Sequence, residues 1–327
     1  MKEAENMNKI KVSIICNTFN HEEYIQDALD SFVKQKTSFQ FEILVHDDAS
    51  TDNTRKIIQK YVNKYPNLIK PLYQVSNKYS QKINIISVYQ YPRVAGEYIA
   101  FCEGDDYWID EYKLQKQVNY LDSHPETDIC AHSSIYVNAN SKKCLKISSR
   151  SKEIKIFSVE DVISGGGDFV STSSLMYRSC LIKRMPEFIK FMHFDYTIQI
   201  YSSLRGGMGY LPDVMSAYRV QSNNSWTVRV AKNKKLMIRH RMKLLKMLKL
   251  LNIETNYRYC KSIKCKRIMI ICKILELRGK YKTILFNKKI DKRYCSKIFL
   301  SKIFFKWCIN MVDYLNMNTF FRIRRKN

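Results

Sequence analysis

The sequence predicts an α/β protein, an open and mostly parallel sheet with flanking helices, followed by a basic helical region. Three observations carry that prediction. Short apolar runs alternate with stretches of 3-4 apolar spacing through the first third of the chain. Those runs end in polar and acidic residues rather than hairpin turns. Charge is also divided sharply: residues 229–327 hold 29 Lys+Arg against four acids, whereas the whole chain holds 56 against 30.

The elements follow in order. KVSIIC (11–16) reads as a buried strand, with the polar loop NTFNHEE after it. From Tyr24 to Lys36, Ile25, Ala28, Leu29, Phe32 and Val33 share one helical face. FEILVHDDAS (41–50) repeats the plan as a strand ending in acids, and Ser50-Thr51-Asp52 supplies N-cap chemistry for a helix that Pro66 stops. Residues 69–75 form a weaker strand candidate and YIAFCEGDD a stronger one, and Asp110 to Ser123 reads as a helix ended before Pro125. Beyond Asp128, AHSSIYVN, STSSLMYR and GYLPDVMSAYRV read as strands, with a Gly165–Gly167 loop among them. From about Lys232, LMIRHRMKLLKMLKLL and IMIICKILEL place Leu, Ile and Met beside Lys and Arg at helical spacing.

At 327 residues the chain can bury at least one full core. Its ten Cys form no C-x-x-C pair, which suits free thiols in a reducing cytoplasm better than disulfides or zinc. MKEAENMNKI lacks the apolar core of a signal peptide, and no run approaches the roughly 18 apolar residues of a membrane span.

Acids gather where the strands end: Thr18, Asn20 and Glu22; Asp47 and Asp48; Glu103, Asp105 and Asp106. Like charges at 4 Å repel by about 1 kcal/mol per pair even in water, so clustering them calls for a reason. Ligands of open α/β sheets bind beyond the carboxyl ends of the strands. Oxygen-rich clusters there fit a hard cation, Mg²⁺ or Mn²⁺, arriving with substrate phosphates. Gly104 would let backbone come close to such a ligand. The plainer reading makes the acid pairs loop and cap residues. There is no G-x-x-x-x-G-K-[ST], and Gly206-Gly207-Met208-Gly209 fails the spacing of a dinucleotide fingerprint.

VSIICNTFNHEEYIQDALDSFVKQ, FEILVHDDASTDNT and GEYIAFCEGDDYWIDEYKLQKQ together resemble the donor half of family-2 glycosyltransferases, which have the GT-A fold. The likeness covers residues 10–228 and is strongest to bacterial members that build surface polysaccharides. It implies a disordered stretch 1–9, a nucleotide-sugar half 10–125, an acceptor half 126–228 and a basic region 229–327. It implies that Asp47 or Asp48 contacts the nucleobase, and that Thr18, Asn20 and Glu22 hold donor atoms as well. The D-x-D motif falls on Glu103-Gly104-Asp105, so that Asp105 would bind the Mn²⁺ or Mg²⁺ that bridges the donor diphosphate. Glu103 departs from the motif by one methylene.

An inverting transfer also needs a carboxylate to take the acceptor proton. The sequence offers Asp161, Asp168, Asp195 and Asp213. Asp195 stands at an expected helix start, where an N-cap role would be ordinary, but its surroundings resemble the family stretch in which an acid before a helix is the base. YRVQSNNSW resembles a segment that folds over the donor phosphates; Gln221 stands where many relatives carry His, and Arg219 is expected to face phosphate or solvent. His46, His132, His193 and His240 form no metal-ligand spacing.

The resemblance implies a UDP-linked nucleotide-sugar donor and a glycan or lipid-linked glycan acceptor. In the basic region, Leu244, Leu245, Leu248 and Leu251 lie beside Arg241, Lys243, Lys246 and Lys249, and KIFFKW and FFRIRRKN pair aromatics with bases. Such segments favour anionic lipid, placing the protein on the inner face of a cell membrane. Nucleic acid asks for the same charges but ranks below it, for want of a binding motif. The alternative function is a non-catalytic lipid- or nucleic-acid-binding protein that retains a degenerate GT-A domain.

Overall fold

The computed structural model describes residues 9–191, 195–220, 222, 233–286 and 303. The chain forms two compact units, Met1–Arg229 and Val230–Asn327.

The first unit is built on one sheet. Its strands are β1 (Ile10–Thr18), β2 (Gln40–Asp47), β3 (Ile69–Tyr73), β4 (Tyr98–Phe101), β5 (Tyr107–Trp108), β6 (Ile129–Asn138), β7 (Cys144–Ser148), β8 (Lys155–Phe157), β9 (Met176–Arg178) and β10 (Met208–Val220). The order is β3-β2-β1-β4-β9-β6-β10-β5, with β7 on β6 and β8 on β10. From β3 to β4 every pairing is parallel. The parallel character breaks at β9, which runs antiparallel to both β4 and β6; β10 is again parallel to β6.

Helix Ile25–Val33 buries Ile25, Ala28, Leu29 and Phe32, the 3-4 stripe read from the sequence. That stripe packs with Val12, Ile14 and Cys16 of β1, Ile43 and Val45 of β2, and Tyr98 and Ala100 of β4. The Val, Ile, Leu and Phe side chains among these, fully removed from water, contribute about 1.5–3 kcal/mol each. Helix Thr54–Lys64 ends with Tyr65 as its C-cap, directly before Pro66, and helix Lys113–Ser123 adds Leu114, Val118 and Leu121 to the same core.

STSSLMYR differs from its reading as one strand. Only Met176–Arg178 is a paired strand, and Thr172–Ser174 coils into a 3₁₀ turn. The cause is local: the Ser174 hydroxyl donates back to the Ser171 carbonyl at 2.6 Å, a bond that competes with the ladder. Gly206 and Gly207 have φ of 75° and 83°, so this glycine pair is a left-handed turn into β10.

In the second unit, helices Lys234–Glu254, Cys260–Leu277 and Tyr281–Phe286 follow one another. Asn233 caps the first by accepting from the Leu236 N–H at 3.0 Å. Leu248 and Leu251 of the anticipated stripe are buried, whereas Lys243 and Lys249 are exposed. Ile268, Cys272, Ile284 and Ile303 form a small core. No helix among the described residues is long and apolar enough to cross a membrane. FFRIRRKN and KIFFKW (apart from Ile303) lie outside the described residues, as do residues 1–8.

Candidate active site

Parallel pairing sets Thr18 level with Asp47, and Phe101 level with Ile15, so the ends of β1, β2 and β4 lie side by side. The loops beyond β1 and β2 are laced together. Asn20, at φ 53°, donates its N–H to Ser50 Oγ at 2.9 Å and accepts from the Thr51 N–H on Oδ1 at 2.8 Å. Glu22 donates its N–H to Asp52 Oδ2 at 3.1 Å, and its Oε2 accepts from the Asn53 N–H at 2.9 Å and side-chain amide at 2.8 Å. The side chains of Asn20 and Glu22 therefore brace the floor of the site.

The two acids after β2 have different surroundings. Asp48 accepts the N–H groups of Lys78 at 2.7 Å and Tyr79 at 3.0 Å, one on each oxygen, and so anchors the loop at 76–80. Asp47 keeps Oδ1 buried without a hydrogen-bond partner, and a long 3.4 Å contact from the Ser50 N–H on Oδ2. Desolvation raises its pKa, opposed by Ser50 and by the charge of Arg55. A buried acceptor left open is costly, and Asp47 rather than Asp48 offers it.

Thr18 Oγ1 and His21 Nδ1 are likewise buried without partners. His21 escaped the sequence reading. Its pKa is lowered by desolvation, against the charges of Asp105, Asp52 and Asp47 that raise it, so it stands within electrostatic reach of both acid groups. Its only signal in sequence was its place in the NTFNHEE loop.

After β4 the chain turns sharply. The Gly104 N–H donates to the Asn17 carbonyl at 2.9 Å, and a Cβ on Gly104 would lie 2.8 Å from both Cβ and Oγ1 of Thr18. Asp105 is half-buried and accepts from Ser222 Oγ at 2.7 Å. Asp106 is buried and accepts the Arg219 N–H at 2.8 Å; burial, then the charge of Asp105, pushes its pKa well up. Glu103 and Asp195 are both reached by solvent, yet protein surrounds them closely enough that desolvation leads the upward shift of each. The charges of Asp195 and Asp105 push Glu103 further up.

Asp195 opens helix Asp195–Ser203, and its Oδ2 accepts from Thr172 Oγ1 at 2.6 Å, a bond that favours the ionised form. Two of the competing acids are engaged elsewhere. Asp161 closes a capping box with Ser158, and Asp213 lies within β10 and pairs with Lys116 at 2.6 Å. Asp168 lies in the loop after Gly165–Gly167, its carbonyl bound by Arg150.

One further reading changes. Arg219 does not face solvent: its side chain is wholly buried and pairs with Asp27. His46 and His132 are buried, and desolvation holds both rings neutral, His46 at about 4. Gln221 and His193 lie outside the described residues. The described cysteines are free.

No group of three or more His, Cys, Asp or Glu side chains forms a metal cage among the described residues. The chemistry present fits a shared cation instead. The charges of Asp195 and Asp105 oppose ionisation of Glu103, and a hard divalent ion held by one or two carboxylates plus substrate phosphates would offset that charge.

A parallel half-sheet with acids at its carboxyl ends, running through an antiparallel join into a half that carries one more acid, is the GT-A glycosyltransferase architecture. Solved structures agree on the fold. Staphylococcus aureus TarS 1–349 in complex with UDP-GlcNAc matches with a TM-score of 0.52 at 17% identity, covering 87% of this chain and 83% of that one. The same protein in complex with UDP matches at 0.52 and 20%, covering 92% and 89%. The glycosyl transferase family 2 model matches residues 13–185, and the chain belongs to that family. An uncharacterized protein of Mycobacterium tuberculosis (strain ATCC 25618 / H37Rv) is 36% identical over 219 residues, which are 66% of this chain and 60% of that protein. The poly(ribitol-phosphate) beta-N-acetylglucosaminyltransferase TarS of Staphylococcus aureus (strain Mu50 / ATCC 700699) is 34% identical over 116 residues, 35% of this chain and 19% of its own length.

Proposed function

We propose that the protein is an inverting, metal-dependent glycosyltransferase. It moves a sugar from a UDP-linked donor to a hydroxyl of a glycan or lipid-linked glycan in surface-polysaccharide synthesis. The observation that carries this reading is the gathering of acids beyond the strand ends: Asp47 after β2 with an open buried oxygen, Glu103 and Asp105 after β4, and Asp195, whose charge raises the pKa of Glu103. Family membership and relatives whose names specify UDP-GlcNAc or N-acetylglucosaminyl transfer support it.

Each residue then has a task. Asp47 accepts a hydrogen bond from the nucleobase, on the floor that Asn20 and Glu22 brace and Asp48 backs. Thr18 stands at the head of that floor, and Gly104 lets the D-x-D turn approach it. Asp105, with Glu103 beside it, would hold Mn²⁺ or Mg²⁺, which when bound would neutralise charge gathering on the departing diphosphate. Asp195 takes the proton of the acceptor hydroxyl as that oxygen attacks the anomeric carbon opposite the leaving nucleotide, so the configuration inverts. Desolvation raises its pKa toward the working range of a base, and Thr172 keeps it ionised.

Residues 10–125 hold the donor and 126–228 the acceptor in this reading, and the basic unit faces anionic lipid at the cytoplasmic side of the cell membrane. The test is calorimetric titration of UDP, GDP and CDP into the protein with and without Mn²⁺. Metal-dependent binding of UDP is expected; absence of binding by all three would sink the reading.

A further inference from the structure

Burying a guanidinium is expensive unless every charge is answered, and Arg219 is one of the largest fully buried side chains in the first unit. Its contacts come from segments far apart in sequence. One terminal nitrogen pairs with the Asp27 carboxylate on helix Ile25–Val33. The other donates to the backbone carbonyl of Asp105 at 2.7 Å. The guanidinium carbon lies 4.6 Å from the ring centre of Tyr107 and 5.2 Å from that of Tyr24. Its own N–H reaches the Asp106 carboxylate at 2.8 Å, and Ser222, three residues on, holds the Asp105 carboxylate at 2.7 Å. The segment 219–222 thus grips Asp105 at both its carbonyl and its carboxylate. Arg219 Nε is left buried without a partner, so the fork is turned to suit Asp27 and Asp105 at the expense of its third direction. Lys142 also pairs with Asp27, at 2.7 Å, giving that carboxylate a second cation.

We infer that Arg219, with Asp27 as its counter-ion, is a positioning residue for Asp105. It fixes the Asp105–Asp106 peptide so that the Asp105 carboxylate is presented in one orientation to an incoming metal–diphosphate. A planar fork reaches Asp27 and the carbonyl with two separate nitrogens held at a fixed angle, a geometry the single nitrogen of an ammonium does not reproduce. The inference rests on the glycosyltransferase reading and assigns a role to a residue that touches neither donor nor metal.

The test compares wild type with Arg219→Lys and Asp27→Asn by calorimetric titration of UDP in Mn²⁺ and in EDTA, alongside thermal melting. Losing an outer partner of a metal ligand typically lowers metal-dependent affinity by about 10–100-fold. Each variant should therefore bind UDP about 10–100-fold more weakly in Mn²⁺ and as wild type does in EDTA, while still melting cooperatively. Equal weakening in both buffers, no weakening in Mn²⁺, or failure of both variants to fold would each overturn the inference and leave Arg219 a core brace or a bystander. Wild type that binds no UDP in either buffer would instead remove the glycosyltransferase reading, and this inference with it.

Discussion

Gly104→Ala tests whether the close approach between the D-x-D turn and the end of β1 governs the site. The added Cβ would sit 2.8 Å from Thr18 Cβ and Oγ1 and 3.0 Å from Ile25 Cδ1. Carbon atoms rest at about 3.5–4.0 Å, so the turn or the strand end must yield by about 1 Å. Thr18 is buried and Ile25 lies in the core, so neither can swing into solvent. Overpacking of this kind costs about 1–3 kcal/mol. For a unit of this size each kcal/mol lowers Tm by about 2–4 °C, which sets the expected fall in calorimetry. Turnover of a UDP-sugar should drop further, since an error of about 1 Å in a reacting constellation can cost about 10²-fold. Gly167→Ala is the control, because its Cβ would meet only Tyr196 Cβ at an ordinary 3.7 Å. If Gly104→Ala melts and turns over like Gly167→Ala, the strand-end packing described here does not control the site.

Asp195→Asn should cut turnover by about 10²–10⁴-fold, the usual range for a general base, while UDP affinity by calorimetry stays unchanged. Thr172→Val removes the bond that lowers the Asp195 pKa, so that pKa rises. A base acts deprotonated, and the acidic limb of the pH–rate profile should therefore move to higher pH. His46 is held near 4 in the folded chain by burial, below its unfolded value of about 6.5. Between those values the unfolded chain binds a proton that the native ring refuses, so stability falls as pH drops through the window. Asp106, with its raised pKa, contributes the opposite slope by losing stability as pH rises. The informative quantity is thus the difference in Tm between wild type and His46→Gln, which should shift in favour of the variant from pH 6.5 toward 4.

Features legible in the sequence were those decided within a few residues. Alternating apolar runs and 3-4 stripes gave β1, β2, β4 and their helices, and the acids at the strand ends marked the site edge. Distinctions that rest on long-range contacts were hidden. Asp47 and Asp48 are adjacent and chemically identical, and only loop 76–80, returning to bind Asp48, separates their roles. Arg219 read as a strand arginine because its partners lie 114 and 192 residues away. The antiparallel join at β9 was obscured by a serine turn whose hydroxyl chemistry overrides strand propensity. The apolar stripe of helix Lys234–Glu254 was visible, and Leu248 and Leu251 of it are buried.

The lacing of Asn20 and Glu22 to residues 50–53 has a thermodynamic consequence. Two loops that already fill each other's hydrogen bonds have little backbone freedom left to lose when a nucleotide arrives. Binding at this edge should then show a heat-capacity change set by the surface of the base itself, without the larger signature of a segment folding onto its ligand.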